Sequence, residues 1–163
     1  MPCNVRLYDA GYAALTASMQ VIPIDVSTAG RPNLCAVVHS GSAGLAYLNF
    51  NLAQCVYQVS ISDPRRAYGH VLIPALNGNV AGQLEIVLNR LPPPSTGGAV
   101  VTSASQLTSF MATRSWSNEQ QAAVLGVVNA FVLVKGATDQ TSQYLEGLYA
   151  YTLEERSISP SAF

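Results

Sequence analysis

Cysteine and histidine are the side chains of this 163-residue chain best suited to nucleophilic chemistry. A thiol nucleophile needs a base within hydrogen-bonding distance. Cys35 and His39 lie four residues apart on a predicted strand, which separates their side chains by about 13 Å and excludes that pair. Cys55 and His70 stay open as a pair, but the sequence offers no glycine-rich elbow and no third orienting residue. We therefore expect no catalytic residue.

Acidic and glycine-rich segments give no stronger chemical signal. Glu154 and Glu155, with Arg6 early in the chain, loosely resemble the acidic motif of ADP-ribosyltransferases, but the Ser-Thr-Ser element of that motif has no convincing counterpart. We interpret Glu154, Glu155 and Arg156 as a solvated tail. The glycine clusters at residues 41–44 and 78–82 lack the spacing of a phosphate-binding loop.

Three cysteines without CxxC or histidine-rich spacing predict neither a zinc site nor a complete disulfide framework. At least two of Cys3, Cys35 and Cys55 are expected to be small buried residues, and one interchain disulfide stays open. We predict no metal and no cofactor.

The composition indicates a protein whose surface is covered by neighbours. Half of the residues are hydrophobic (49%) and only 10% are charged, against about 25% in ordinary soluble domains. This balance is typical of shells, tubes and obligate oligomers, although a β-rich monomer with a neutral surface has the same composition. The net charge of −1, with one lysine, gives no support for binding to a phosphate backbone.

The strongest local pattern lies near the C-terminus, where Ser117 and Gln120 have the spacing of a capping box. The following run, residues 122–134, is interrupted only by Gly126 and Asn129, so the predicted helix has no solvated face. It must be covered by its own sheet or by a second copy of the chain. We predict an obligate homodimer whose interface includes Val124, Val127, Val128 and Phe131.

Targeting signals are not evident in the sequence. The apolar run is too short to cross a bilayer, and the N-terminal residues lack the basic and apolar regions of a signal peptide. The expected location is a cytoplasm-like compartment.

Upstream, the pattern changes to the two-residue period of strands. Residues 48–52 and 57–62 alternate between apolar and polar side chains, and the proline-rich residues 92–98 predict an exposed loop. A strand is expected to continue to about Ser115, with helices at 118–134 and 140–149. The predicted fold is a single α+β domain, residues 1–163: an antiparallel sheet of six to seven strands over about 3–116, then two C-terminal helices over about 118–149.

This plan resembles the coat proteins of single-stranded RNA bacteriophages of the levivirus type. Residues 56–64 resemble the family's strand in which a tyrosine opens an alternating polar and aliphatic run before a turn. Residues 110–122 resemble its junction between the last strand and the first helix. Residues 147–151 occupy the place of its terminal aromatic segment. The resemblance covers roughly the central and C-terminal two-thirds of the chain.

The resemblance implies an intertwined homodimer that assembles into a capsid around single-stranded RNA, within a virion formed in a bacterial cytoplasm. The inward sheet face would then contact RNA through side chains that hydrogen-bond to unstacked bases: Asn49, Asn51, Gln58, Ser60 and Arg114. An ordinary solvent-facing sheet surface would have the same polar pattern. A phage decoration or tail protein is the alternative function, and a small enzyme of the Cys/His hydrolase or ADP-ribosyltransferase-like type is a weaker one.

Overall fold

A computed structural model describes residues 2–13, 19–25, 33–34, 39–41, 45–49, 55–61, 69, 71–73, 82–138 and 140–163. Eight strands come first: β1 Pro2–Tyr8, β2 Met19–Asp25, β3 Asn33–Leu34, β4 His39–Gly41, β5 Leu45–Asn49, β6 Cys55–Ile61, β7 Val71–Ile73 and β8 Gly82–Val87. Three helices follow: α1 Leu107–Thr113, α2 Asn118–Val134 and α3 Gln140–Glu154. Short 3-10 turns occupy Ala104–Gln106 and Pro160–Ala162.

The strands form two sheets. One has the order β5-β1-β8, and in it β1 runs antiparallel to β5 but parallel to β8. The other has the order β3-β2-β6-β7, with β4 also paired to β2, and all of its pairs are antiparallel. Within the described registers, Pro23 of β2 has a partner only in β6, at Tyr57, because β4 pairs with residues 19–21 and β3 with residues 24–25. The proline, which has no N–H to donate, thus lies in the gap between two short neighbouring strands.

The predicted fold class is wrong. The described strands make two separate sheets of three and five strands with a parallel pair, not one antiparallel sheet of six to seven strands. Among the residues described after Val87, the chain is helical and contains no strand beyond isolated bridges such as that of Val101 with Ile158. The strand predicted to reach Ser115 is replaced by α1, and the C-terminal region has three α-helices where two were predicted.

The position of α1 follows from the spacing of its large apolar side chains. Leu107, Phe110 and Met111 are buried and occupy positions i, i+3 and i+4, which share one face of a helix but not of a strand. Trp116, just beyond α1, packs edge-on against Phe110 with 5.4 Å between ring centroids. These contacts hold α1 against the helical core.

The boundaries of α2 match the sequence prediction. The Ser117 hydroxyl accepts a hydrogen bond from Gln120 N at 3.2 Å, and Gln120 Oε1 accepts one from Ser117 N at 2.9 Å. This capping box satisfies two amides that the first turn leaves without helical partners. The predicted second helix exists as α3 but continues to Glu154, five residues beyond its predicted end.

The helices share one apolar core, and α2 approaches the sheets closely. The core is made of side chains from α1, α2, α3 and the segments that flank them: Leu91, Val101, Leu107, Phe110, Met111, Ala123, Val124, Val127, Val128, Ala130, Phe131, Val134, Leu145, Tyr149, Leu153 and Ile158. At Gly69, just before β7, a Cβ atom would lie 2.7 Å from the Cα and carbonyl oxygen of Ala123. Only glycine permits this approach of α2 to the chain beside β7.

Candidate functional site

The predicted dimer-interface residues of α2 lie inside the chain's own core. Val124, Val127, Val128 and Phe131 are all buried without a second copy present, in the apolar cluster shared with α1 and α3. The expectation that a partner must cover this face is therefore not required by packing. Cover by the chain's own sheet was the other possibility that the sequence left open, and in the structure α2 packs against both α3 and β7.

The opposite face of α2 is exposed, and α2 carries no charged residue after Glu119 in its first turn. Its outward residues are Asn118, Ala122, Leu125, Asn129 and Val132. Leu125 keeps 40% and Val132 50% of its surface exposed. Seven residues separate these two side chains, so they lie on one stripe about 10 Å apart along the helix.

A second exposed stripe lies on α3. Tyr144 is 70% exposed and Tyr151 49% exposed, and Gly147 lies between them on the same face. A Cβ atom placed at Gly147 would meet no atom within 4 Å. We call the two stripes together, residues 122, 125, 129 and 132 of α2 with 144, 147 and 151 of α3, the outer helix surface.

The two helices pack against each other, and each carries one of the stripes. Tyrosine suits recognition because it offers a large apolar ring with a polar tip, and exposed apolar patches are common at protein–protein contacts. The sequence of α2 is apolar on all sides. It therefore does not indicate which face of the helix is exposed to solvent.

The residues predicted to contact RNA lie on several elements of the fold. Asn49 ends β5 in the three-stranded sheet, where it pairs with Pro2. Gln58 and Ser60 lie in β6 of the other sheet. Arg114 follows α1, with its guanidinium 4.9 Å from the centroid of the Phe110 ring. Asn51 lies outside the described residues. The described members of this set therefore belong to two sheets and a helix end, and their role in binding RNA stays a prediction.

The residues considered for catalysis are dispersed in the same way. Cys3 lies in β1, His39 in β4 and Cys55 in β6, whereas Cys35 and His70 fall outside the described residues. Within the described part of the chain, no group of three or more His, Cys, Asp or Glu side chains is placed to hold a metal ion.

The predicted solvated tail is wrong for one of its three residues. Glu154 is exposed, but the Arg156 side chain is only 2% exposed. Its Nε donates to the carbonyl oxygen of Pro92 at 3.0 Å and its Nη1 donates to that of Thr152 at 2.9 Å. Glu155 contributes a carboxylate oxygen 3.5 Å from the same Nη1. A charged residue near a polar terminus gives no sequence signal of such burial, because its partners are carbonyl groups and one of them lies 64 residues away.

Comparisons with known proteins identify no family. No protein-family model matches the chain, and a search of curated proteins gives no match. No helix among the described residues is long and apolar enough to cross a membrane. Function therefore has to be argued from the outer helix surface and from composition.

Proposed function

We propose that this chain is a structural protein that associates with copies of itself through the outer helix surface. The observation that carries the proposal is the exposure of four large apolar side chains on two packed helices: Leu125, Val132, Tyr144 and Tyr151. A chain with only 10% charged residues has little charge to oppose contact between copies. A coat or shell component is the specific form of this function that the composition favours.

The contact differs from the one predicted from the sequence. Exposed side chains of α2 and α3 would meet those of a second copy, while the inner face of α2 stays within its own chain. Each copy therefore folds before it associates. The surface would act as an exposed patch through which folded copies meet, not as the shared core of an obligate dimer.

Sedimentation velocity across a range of concentrations tests self-association. Val132→Ser and Tyr144→Ser should each weaken association by about tenfold, because removing a central apolar or aromatic side chain typically costs an interface more than 1 kcal/mol. Both side chains are exposed, so the far-ultraviolet circular dichroism of the variants should equal that of the wild type.

Matched controls exist elsewhere in the chain. Val100 is 59% and Tyr12 76% exposed, and both lie outside the outer helix surface. Val100→Ser and Tyr12→Ser remove the same two types of side chain at similar exposure, so they should leave the association constant unchanged. A wild-type protein that stays monomeric at micromolar concentration, or controls that act as strongly as the test variants, would refute the proposal.

Electron microscopy of the protein expressed alone separates the coat function from other assemblies. Closed particles support a coat, whereas filaments or small oligomers support a different structural role. The absorbance ratio of purified closed particles at 260 and 280 nm shows whether they hold RNA. Particles without RNA would remove the RNA-packaging part of the coat hypothesis and leave assembly intact.

A further inference from the structure

We propose that the turn after α3, which we call the clasp, holds the segment between β8 and α1 in place. The clasp and this segment unfold together as one local unit, before α2 unfolds. The clasp is residues 155–159. The strap that it closes is residues 91–101, which leads from the end of β8 towards α1. This device is independent of whether copies of the chain associate.

Backbone hydrogen bonds join the clasp to the middle and the C-terminal end of the strap. Ser95 N donates to the carbonyl oxygen of Glu155 at 2.7 Å. Val100 N and Val101 N donate to that of Ser157 at 2.9 and 3.1 Å, and Ser159 N donates back to Val101 O at 2.9 Å. Four residues of the strap, 96–99, lie between the attachment points at Ser95 and Val100, so releasing the clasp frees this loop as one piece.

Arg156 is the side chain that holds the clasp in place. Its guanidinium bridges Pro92 of the strap and Thr152 of α3 through two carbonyl oxygens. Hydrogen bonds from a charged donor are stronger than neutral ones, and a buried carbonyl that loses its donor is left without compensation. Arg156 therefore couples the first residues of the strap to the end of α3.

The strap and the clasp bury fewer apolar side chains than α2 does. Residues 93, 94 and 96–100 are exposed, and the buried apolar residues are Leu91, Pro92 and Val101 of the strap and Ile158 of the clasp. In contrast, α2 buries seven residues. Local opening takes place where apolar burial is low and hydrogen bonds lie near solvent.

The clasp also contains a strained residue. Ser157 has a φ of +63°, in the left-handed region that non-glycine residues rarely adopt. Its Oγ is buried and has no hydrogen-bond partner among the described residues. Local unfolding relieves the strain of the positive φ and gives the Ser157 Oγ access to water. Both effects favour the clasp as the first part of the helical region to unfold.

Native-state hydrogen exchange on the wild-type protein tests the proposal directly. The amides of Ser95, Val100, Val101 and Ser159 should exchange together, at least about tenfold faster than the core amides of α2. Their exchange should depend less on urea than that of the α2 amides, since opening the strap and clasp exposes fewer buried apolar side chains than unfolding α2 does. Exchange of these amides at the same rate and with the same urea dependence as α2 would overturn the proposal.

A pair of arginine variants identifies the residue responsible. Arg156→Lys keeps the charge but lacks the guanidinium that bridges two carbonyls, so exchange at the four strap and clasp amides should rise about tenfold or more while α2 is unaffected. Arg114→Lys changes an exposed arginine near Phe110 and should leave those amides unchanged. Equal acceleration in α2 and the strap after Arg156→Lys would mean that no separate unit exists.

Discussion

Replacing Gly69 by alanine should weaken the packing of α2 against the chain beside β7. The new Cβ would lie 2.7 Å from Ala123 Cα and O and 2.8 Å from Ala123 Cβ. Carbon atoms pack at about 3.5–4.0 Å, so α2 would have to move by roughly 1 Å. The atoms in the way belong mostly to the backbone of a buried helix, which cannot rotate aside as a side chain does.

The expected cost of Gly69→Ala is about 1–3 kcal/mol, the range for overpacking a close-packed interior. With a urea m-value of about 1–3 kcal/mol per molar, the unfolding midpoint should fall by roughly 1 M. The fluorescence of Trp116, the only tryptophan of the chain, provides the assay because that ring packs edge-on against Phe110 in the helical core.

Gly147→Ala is the matched control, with the opposite expected sign. Its new Cβ meets no atom within 4 Å on the exposed face of α3. Alanine is favoured over glycine inside a helix by about 0.8–1.0 kcal/mol, so the midpoint should rise. Both substitutions restrict the unfolded chain alike, so the difference between them reports packing at residue 69. A Gly69→Ala protein as stable as the wild type would refute the close approach of α2 to Gly69.

Two further substitutions test local features of the helical region by urea unfolding. Ser117→Ala should lower the free energy of unfolding by about 1 kcal/mol, because it removes the acceptor of the capping box at the start of α2. The control Ser109→Ala, at an exposed position within α1, should not destabilise the protein. Equal losses of stability in the two variants would contradict a specific cap. Ser157→Gly should stabilise the protein by about 1 kcal/mol, because glycine adopts a positive φ without steric cost. Ser159→Gly, at a φ of −77°, should give no gain, and a loss of stability in Ser157→Gly would show that the left-handed turn is not strained.

Local signals were sufficient for α2. Its N-terminus was predictable from Ser117 and Gln120, because a capping box acts over three residues and needs no distant partner. The exposed loop was predictable in part, since consecutive prolines break regular structure: residues 93, 94 and 96–98 are exposed, while Pro92 is buried. The spacing of Leu107, Phe110 and Met111 also contained the signal for α1, but alternation within a short apolar segment was interpreted as a strand.

Only the tertiary structure decided which surfaces are inside. The alternating patterns of β1 to β8 do not specify partners, because the same two-residue period suits parallel and antiparallel neighbours in one sheet or two. The inner and outer faces of α2 are both apolar in sequence, so burial of Phe131 and exposure of Val132 depend on where the rest of the chain, α3 and β7 included, packs against α2. Arg156 depends on the fold most of all, because the carbonyl of Pro92 that receives its hydrogen bond is brought near only when the chain closes on itself.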